Sequence, residues 1–192
     1  FDDKLGYLTQ CPTNLGTGMR ASVMLHLPAL EKSRTIGRIA GNLSKLGLTI
    51  RGAYGEGSEP SGSLYQLSNQ VTLGISEKAA IENLENITKQ LVSQEQQARE
   101  RLAKSIDIQD SVSRSLGLLK SAMVMTHDEA LKLLSNVRFG ILSGQIKDVT
   151  ADVVDSLMEK IEPATLMVNS GKNLSAQERD IERAKILREA LS

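Results

Sequence analysis

The most informative segment of the chain reads Cys11-Pro12-Thr13-Asn14-Leu15-Gly16-Thr17-Gly18-Met19-Arg20. Gly16 and Gly18 can adopt positive φ and let the backbone approach a ligand closely. Exposed backbone N–H groups in such a turn can bind an anion. The segment is not a Walker A loop, because no Gly-Lys-Ser/Thr follows, and the strand predicted after it excludes a dinucleotide-binding fingerprint. By spacing alone, a Gly-rich connection between two strands is the simpler interpretation.

Short apolar runs on both sides of this segment predict an α+β architecture. Leu5–Thr9 and Ala21–Leu27 are interpreted as strands, and Pro28 ends the second. Leu48–Ile50 and Leu64–Leu67 predict two further strands. Between them, Leu30–Leu46 carries apolar residues at helical spacing. This half is therefore predicted to be an antiparallel sheet with a covering helix.

From Ser76 onward the pattern is helical. Ser76 is a candidate N-cap for a helix of roughly seven turns. Two capping boxes follow, Thr126-His127-Asp128-Glu129 and Ser175-Ala176-Gln177-Glu178. Each precedes an apolar stripe, and the last stripe is assigned to Ile181, Ala184, Leu187 and Leu191. The end of the chain is therefore predicted to be a small all-α domain.

Composition excludes several classes of protein. The 192 residues carry 23 Lys+Arg and 23 Asp+Glu, and this zero formal charge gives no global argument for nucleic acid or an anionic membrane as partner. No apolar run approaches the length needed to span a bilayer. The single cysteine, Cys11, cannot form an internal disulfide, which favours a reducing, cytoplasmic location. His26 and His127 have no second ligand at suitable spacing, so no metal site is predicted.

Two arginines lie at predicted strand ends, Arg20 at the start of one and Arg51 at the end of another. Such arginines are usually solvated edge charges. Beside a Gly-rich turn, their planar guanidinium groups could instead converge on phosphate oxygens. After Arg51 the chain continues as Gly52-Ala53-Tyr54-Gly55-Glu56-Gly57-Ser58-Glu59, which is interpreted either as a mobile surface loop or as a loop that closes over a cationic substrate.

These residues together resemble the signature of the ATP:guanidino phosphotransferases, the family of creatine and arginine kinases. The resemblance rests on Leu8-Thr9-x-Cys11-Pro12-Thr13-Asn14-Leu15-Gly16-Thr17-Gly18-x-Arg20, on Arg51-Gly52 and on Leu67-Ser68-Asn69, and it covers roughly residues 5–105. Within the family, the loop at 54–59 and the helical extension look closest to the bacterial protein-arginine kinases.

The resemblance implies an ATP site, with Mg²⁺ bound through the nucleotide. The residues expected to contact ATP are Arg20, Ala21, Ser22, Val23, Met24, Arg51, Gly52, Ala53, Tyr54, Gly55 and Glu56. Metabolite kinases of the family often carry His where Met24 stands, so the adenine pocket is expected to differ from theirs.

The resemblance also implies the catalytic groups. Cys11 is expected to lie as a thiol of low pKa beside the reacting guanidinium, with Thr13 as a hydrogen-bond donor to it. Glu56 is expected to hold the substrate guanidinium. The chemistry is consistent, because phosphoryl transfer depends on positioning and charge neutralisation, and a protonated guanidinium needs a carboxylate to orient it.

The family places further phosphate-binding arginines and its main acid–base carboxylate before the Cys11 motif. The chain opens without an initiator Met, and it is therefore expected to be a fragment that is inactive alone and exposes a sheet edge. The expected domains are residues 1–106, the C-terminal portion of the catalytic domain, and 107–192, a helical regulatory domain.

The last predicted helix begins Arg179-Asp180-Ile181-Glu182-Arg183-Ala184. The spacing of Arg179 and Arg183 puts them on one face, predicted to be an exposed flank where substitution costs within about 0.5 kcal/mol. The run resembles a motif of protein-arginine kinases that forms a pocket for phosphoarginine, used in allosteric regulation and substrate docking. The resemblance assigns that pocket to Arg179, Asp180, Arg183 and Ala184.

Three functional hypotheses follow. The first is an ATP-dependent kinase that phosphorylates arginine in proteins, in a stress response, with arginine-bearing and phosphoarginine-containing proteins as partners and with homo-oligomers possible. The second is a non-catalytic module that binds phosphoarginine. The third is a small-molecule guanidino kinase, against which the helical extension and the Arg179–Ala184 run both count.

Overall fold

A computed structural model describes residues 1–53 and 60–192 of the chain. The described residues divide into two compact units, Phe1–Ala98 and Arg99–Ser192. The first contains strands and helices, and the second is helical. The predicted α+β class is therefore confirmed.

The described part of the first unit contains a three-stranded antiparallel sheet of order β1-β3-β2. Its strands are β1 (Ser22–His26), β2 (Leu48–Gly52) and β3 (Leu64–Asn69), close to the predicted positions. Leu67 in the central strand pairs with Val23 on one side and Ile50 on the other. Leu67 is fully buried, so this face of the sheet meets the core.

The predicted strand at Leu5–Thr9 is wrong. Tyr7 forms only an isolated bridge with Gly16, and the preceding Gly6 has φ of +72°. A residue in the left-handed region turns the chain out of the extended conformation, which interrupts regular strand pairing at Gly6. The apolar side chains of Leu5, Tyr7 and Leu8 remain exposed.

The helix predicted over Leu30–Leu46 is confirmed from Ile36 to Lys45, but its predicted start is wrong, because two helices occupy this stretch. They are α1 (Pro28–Lys32) and α2 (Ile36–Lys45). Arg34 between them has φ of +55°, which no α-helix accommodates. The Thr35 hydroxyl donates to the Leu30 carbonyl (2.9 Å) and holds the chain in this break.

The long helix α3 (Glu77–Leu102, 26 residues) matches the predicted length of about seven turns. Leu84, Leu91 and Ala98 lie on its buried face, and Glu95 lies among them with 4% exposure. The Glu95 carboxylate accepts hydrogen bonds from the backbone N–H groups of Ala29 and Leu30, both at 2.9 Å. It therefore satisfies two donors at the start of α1, which Leu27 at the N-cap cannot do.

The second unit contains five helices among the described residues: α4 (Ile106–Ser121), α5 (His127–Leu142), α6 (Ala151–Lys160), α7 (Pro163–Ser170) and α8 (Ala176–Leu191). Thr126 accepts from the Glu129 N–H at the start of α5, and Ser175 and Glu178 form a complete capping box before α8. Apolar side chains from α4, α5, α6 and α8 form one buried cluster in this unit.

Close packing of α4 against α5 depends on Gly140. A Cβ atom at this position would lie 2.4 Å from the Val112 side chain, closer than carbon atoms approach. The missing side chain thus lets the two helix backbones come together, which explains a glycine inside α5 despite its cost of about 1 kcal/mol.

Within the described ranges, no helix combines the length and apolar character that crossing a bilayer requires. The same ranges contain no group of three or more His, Cys, Asp or Glu side chains arranged to hold a metal ion.

The buried carboxylate of Glu95 provides a test of the first unit. We expect Glu95→Ala to lower the free energy of unfolding by about 2–4 kcal/mol, because two buried N–H groups lose a charged acceptor. Chemical denaturation measures this change. Glu85→Ala, which removes an exposed carboxylate from the same helix, is the matched control, and equal stability of the two variants would contradict the capping role.

Candidate functional site

The Gly-rich turn is held from two sides. The N–H of Tyr7 donates to the Gly16 carbonyl (2.8 Å) and the Gly16 N–H donates back to Tyr7 (3.2 Å). On the other side, the Thr17 N–H donates to the Thr72 carbonyl (3.0 Å), and the buried Thr72 hydroxyl donates to Leu15 (2.6 Å). The turn is thus fixed by backbone contacts.

Gly16 is required by two independent features of this arrangement. Its φ is +98°, and a Cβ atom there would lie 2.2 Å from the Thr72 carbonyl oxygen. Any side chain would therefore force apart the two segments that hold the turn. Of the two interpretations of this glycine, a connection between segments of the chain and close approach to a ligand, the observed contact corresponds to the first.

Cys11 precedes a short 3-10 helix, Pro12–Asn14. Its carbonyl accepts from the Thr9 hydroxyl (2.7 Å) and from the Asn14 N–H (3.0 Å), and the residue is exposed. The backbone under the thiol is thus fixed while the residue faces solvent. The side chain of Thr13 lies outside the described part of the structure.

The two arginines singled out from the sequence are associated with one polar face of the sheet. Arg51 in β2 pairs with Gln66 in β3, which pairs with Met24 in β1, so these side chains form one row.

The adjacent row on the same face consists of Thr49, Ser68 and Ser22. Arg20 joins it, because its Nη2 donates to the Ser68 Oγ at 3.3 Å.

The other residues predicted to contact ATP are placed differently. Val23 alternates with Ser22 and Met24, so its side chain points to the opposite, core-facing side. Only its backbone is available to a ligand on the polar face. Ala53 donates its N–H to Leu64 and extends the β2–β3 pairing by one residue. Tyr54, Gly55 and Glu56 lie outside the described residues.

The sequence reading gave no structural role to Ser68, Asn69 and Thr72. All three are polar and at least 94% buried. Asn69 Oδ1 accepts from the Ala21 N–H (2.7 Å), and its Nδ2 donates to the carbonyls of Met19 (3.1 Å) and Val71 (3.2 Å). A polar Ser-Asn pair closing an apolar strand was a signal available in the sequence.

The second candidate site lies at the start of α8. Both the hydroxyl (2.6 Å) and the N–H (2.8 Å) of Ser175 donate to the Glu178 carboxylate. These bonds hold the pKa of Glu178 below its usual range. The capping box is therefore formed above that pKa and is lost as the pH falls through it.

Arg183 does not lie on an exposed flank, so this prediction is wrong. Its side chain is 1% exposed, and its guanidinium donates from Nε to the Ile161 carbonyl (3.1 Å) and from Nη1 to the Met125 carbonyl (2.8 Å). Nη1 also contacts Asp180 at 2.5 Å. The physical reason is helical spacing, since Arg183 lies one turn before Leu187 and continues the buried stripe.

Ile181, which the sequence reading placed in that stripe, is 46% exposed. Arg179 is half-buried and donates to the Leu174 carbonyl (2.9 Å), while the Asp180 side chain is 26% exposed. Ala184 is buried. The motif thus divides into Arg179 and Asp180, which reach the surface, and Arg183 and Ala184, which belong to the core.

Near Arg183, the imidazole of His127 lies 3.4 Å (Nε2) from the Glu162 carboxylate. His127 begins α5 and Glu162 is the N-cap of α7. Arg183 binds the carbonyls of the neighbouring residues Met125 and Ile161. Arg183 therefore joins these two interhelical links by hydrogen bonds, and His127 and Glu162 approach each other beside them.

Two profiles of known protein families match the sequence of this chain. The profile described as "ATP:guanido phosphotransferase, C-terminal catalytic domain" matches residues 1–98. The chain belongs to this family. A second profile, "Protein-arginine kinase McsB C-terminal domain", matches residues 105–192.

Three curated relatives are protein-arginine kinases. The chain is 52% identical to the one of Halothermothrix orenii over 194 residues, 48% identical to the one of Clostridium acetobutylicum over 193, and 49% identical to the one of Geobacillus sp. (strain WCH70) over 193. Each alignment covers 100% of this chain and 56%, 57% and 53% of the respective relative. The chain thus spans about half the length of the curated relatives it matches.

The buried guanidinium of Arg183 provides a stability test. We expect Arg183→Ala to lower the free energy of unfolding by about 3–5 kcal/mol, because it leaves two carbonyls and a carboxylate without their cation. Lys185→Ala on the exposed side of the same helix should change stability by less than about 0.5 kcal/mol. Urea denaturation measures both, and an Arg183→Ala protein as stable as Lys185→Ala would refute the structural role.

Proposed function

We propose that the protein to which this chain belongs transfers the γ-phosphoryl group of ATP to arginine side chains of proteins. The observation that carries the proposal is the polar sheet face, where Arg51 lies in one row and Arg20 is bonded to the next. Membership of the guanido phosphotransferase family supports phosphoryl transfer to a guanidinium. The names of the relatives support protein arginine as the acceptor.

The nucleotide is proposed to lie along the polar face. Arg20 and Arg51 would donate charge-assisted hydrogen bonds to its phosphates, and Met24, in the same row as Arg51, offers an apolar contact, with 51% exposure. The remaining proposed contacts are with Ala21, Ser22, Val23, Gly52, Ala53, Tyr54, Gly55 and Glu56. Mg²⁺ is proposed to arrive with the nucleotide and to neutralise charge on its phosphates.

The acceptor chemistry assigns roles to Cys11 and Glu56. A guanidinium nitrogen forms a bond to the γ-phosphorus, the bond from phosphorus to the bridging oxygen of ADP breaks, and the nitrogen releases a proton to the acid–base carboxylate that the family places before the Cys11 motif. A carboxylate must orient the cation during this step, and Glu56 is proposed for it. Cys11 is proposed to lie beside the acceptor, which its exposed position on a fixed turn supports.

The second unit is proposed to bind phosphoarginine on proteins. Arg179 and Asp180 reach the surface, so we assign the phosphoryl group to Arg179 and the ligand guanidinium to Asp180. Arg183 and Ala184 would contribute indirectly, by holding the middle of α8 in the core. Of the alternatives, a non-catalytic module and a small-molecule kinase are both less consistent with relatives named as protein-arginine kinases. Location in the cytoplasm and homo-oligomerisation remain predictions.

The phosphate role of Arg20 can be tested in the full-length protein. Arg20→Ala should lower kcat/KM for protein phosphorylation by at least about tenfold, because a charge-assisted contact is worth about 1.5–3 kcal/mol. Arg20→Lys should restore little, since the planar fork is lost. Acid-labile phosphate on arginine is the readout, and Arg38→Lys on an exposed turn of α2 is the control. Near-normal activity of Arg20→Lys would contradict the proposed role.

The phosphoarginine role of Arg179 requires a binding measurement. Titration of phosphoarginine into the 192-residue chain, shown to be folded by circular dichroism, should give weaker binding to Arg179→Ala than to the unmodified chain. Free arginine lacks the phosphoryl group and should bind far less well to either. Lys185→Ala removes a comparable charge from α8 as the control. Equal affinity of Arg179→Ala and Lys185→Ala would exclude Arg179 as a ligand.

A further inference from the structure

The backbone around Arg20 is fixed by a single buried side chain. Asn69, 5% exposed at the end of the central strand, accepts from the N–H of Ala21 and donates to the carbonyl of Met19. These are the residues immediately before and after Arg20. Its third bond, to the Val71 carbonyl, uses the remaining amide hydrogen and fixes the orientation of the amide.

The side chain of Arg20 is fixed by the preceding residue of the same strand. Ser68 is 2% exposed, and its Oγ accepts from Arg20 Nη2 at 3.3 Å. A guanidinium has five N–H donors, so this contact restrains its orientation and leaves other donors for a ligand. Asn69 thus restrains the main chain on both sides of Arg20, and Ser68 restrains the Arg20 side chain.

The location of these two residues makes the restraint rigid. β3 pairs with β1 on one side and β2 on the other, so Ser68 lies between Ser22 and Thr49 in the middle of the sheet. Arg20 itself is exposed and precedes β1, where no strand pairing restrains its side chain. A long exposed arginine loses substantial rotamer entropy when it binds a ligand. Restraint before binding reduces that loss.

We infer that Ser68 and Asn69 are positioning residues for the nucleotide site, which hold Arg20 ready for the phosphates of ATP. This inference rests on the proposed role of Arg20 and adds the residues through which the fold controls it. Neither Ser68 nor Asn69 needs to touch the nucleotide, because both act through Arg20.

Ser68→Ala is the first test, since it removes the acceptor and keeps the strand packing. In the full-length protein we expect KM for MgATP to rise about three- to tenfold, the scale of the net contribution of one ordinary hydrogen bond. A merely structural defect would instead reduce the amount of active enzyme, and so the apparent kcat, without changing KM. Ser33→Ala, which removes a hydroxyl bonded within α1, is the control for the loss of a serine hydroxyl.

A double-mutant cycle decides whether Ser68 acts through Arg20. If it does, Ser68→Ala should have no further effect on KM when Arg20 is already alanine. Additive effects, or an unchanged KM in Ser68→Ala while Arg20→Ala raises it, would overturn the inference but leave the ATP site intact. If both kcat and KM were unchanged in Arg20→Ala, the nucleotide role of Arg20 itself would be overturned.

Asn69→Asp provides an isosteric second variant. The carboxylate could still accept from Ala21 but would face the carbonyl oxygens of Met19 and Val71, so the restraint on the backbone should be lost. We expect a larger rise in KM than in Ser68→Ala, measured on protein whose folding is verified by circular dichroism. A folded Asn69→Asp protein with unchanged KM would contradict the inference for Asn69, and if this variant does not fold, the Ser68 cycle decides.

Discussion

The arrangement of the first unit depends on how a buried amide satisfies the backbone where regular pairing ends. The N–H of Ala21 and the carbonyls of Met19 and Val71 lie just beyond the strands, outside the regular ladder pairing. Asn69 supplies one acceptor and two donors at this point. The same contacts define the position from which Arg20 reaches the polar face, so a packing constraint and the proposed chemistry share one residue.

In the second unit, a charged side chain binds backbone groups that lie between helices. Arg183 places a guanidinium among the helix ends and bonds the carbonyls of Met125 and Ile161, while Asp180 balances its charge. A buried ion pair is often no more stabilising than apolar packing, but it is directional. Here these directional bonds join the middle of α8 to the links before α5 and after α6, beside the surface that Arg179 and Asp180 share.

Glu95 in α3 is a third buried polar side chain that binds backbone groups at the end of an element. It lies in an apolar helix face, yet its carboxylate ends at the N-terminus of α1, where the chain provides no capping side chain of its own. In each unit, therefore, charged or amide side chains inside the core bind backbone groups at or beyond the ends of helices and strands. Apolar residues provide most of the burial, whereas these polar residues provide the geometry.

The sequence by itself determined the α+β class, the strands of the sheet, the length of α3 and the capped starts of α5 and α8, because these features follow from local periodicity and capping chemistry. It also identified the Gly-rich turn and its family. Only the tertiary structure decided that residues 5–9 form no strand, that Arg183 is buried, and that Ser68 and Asn69 surround Arg20. The sequence does not show whether a polar residue is buried or exposed, because this depends on contacts with segments that are distant along the chain.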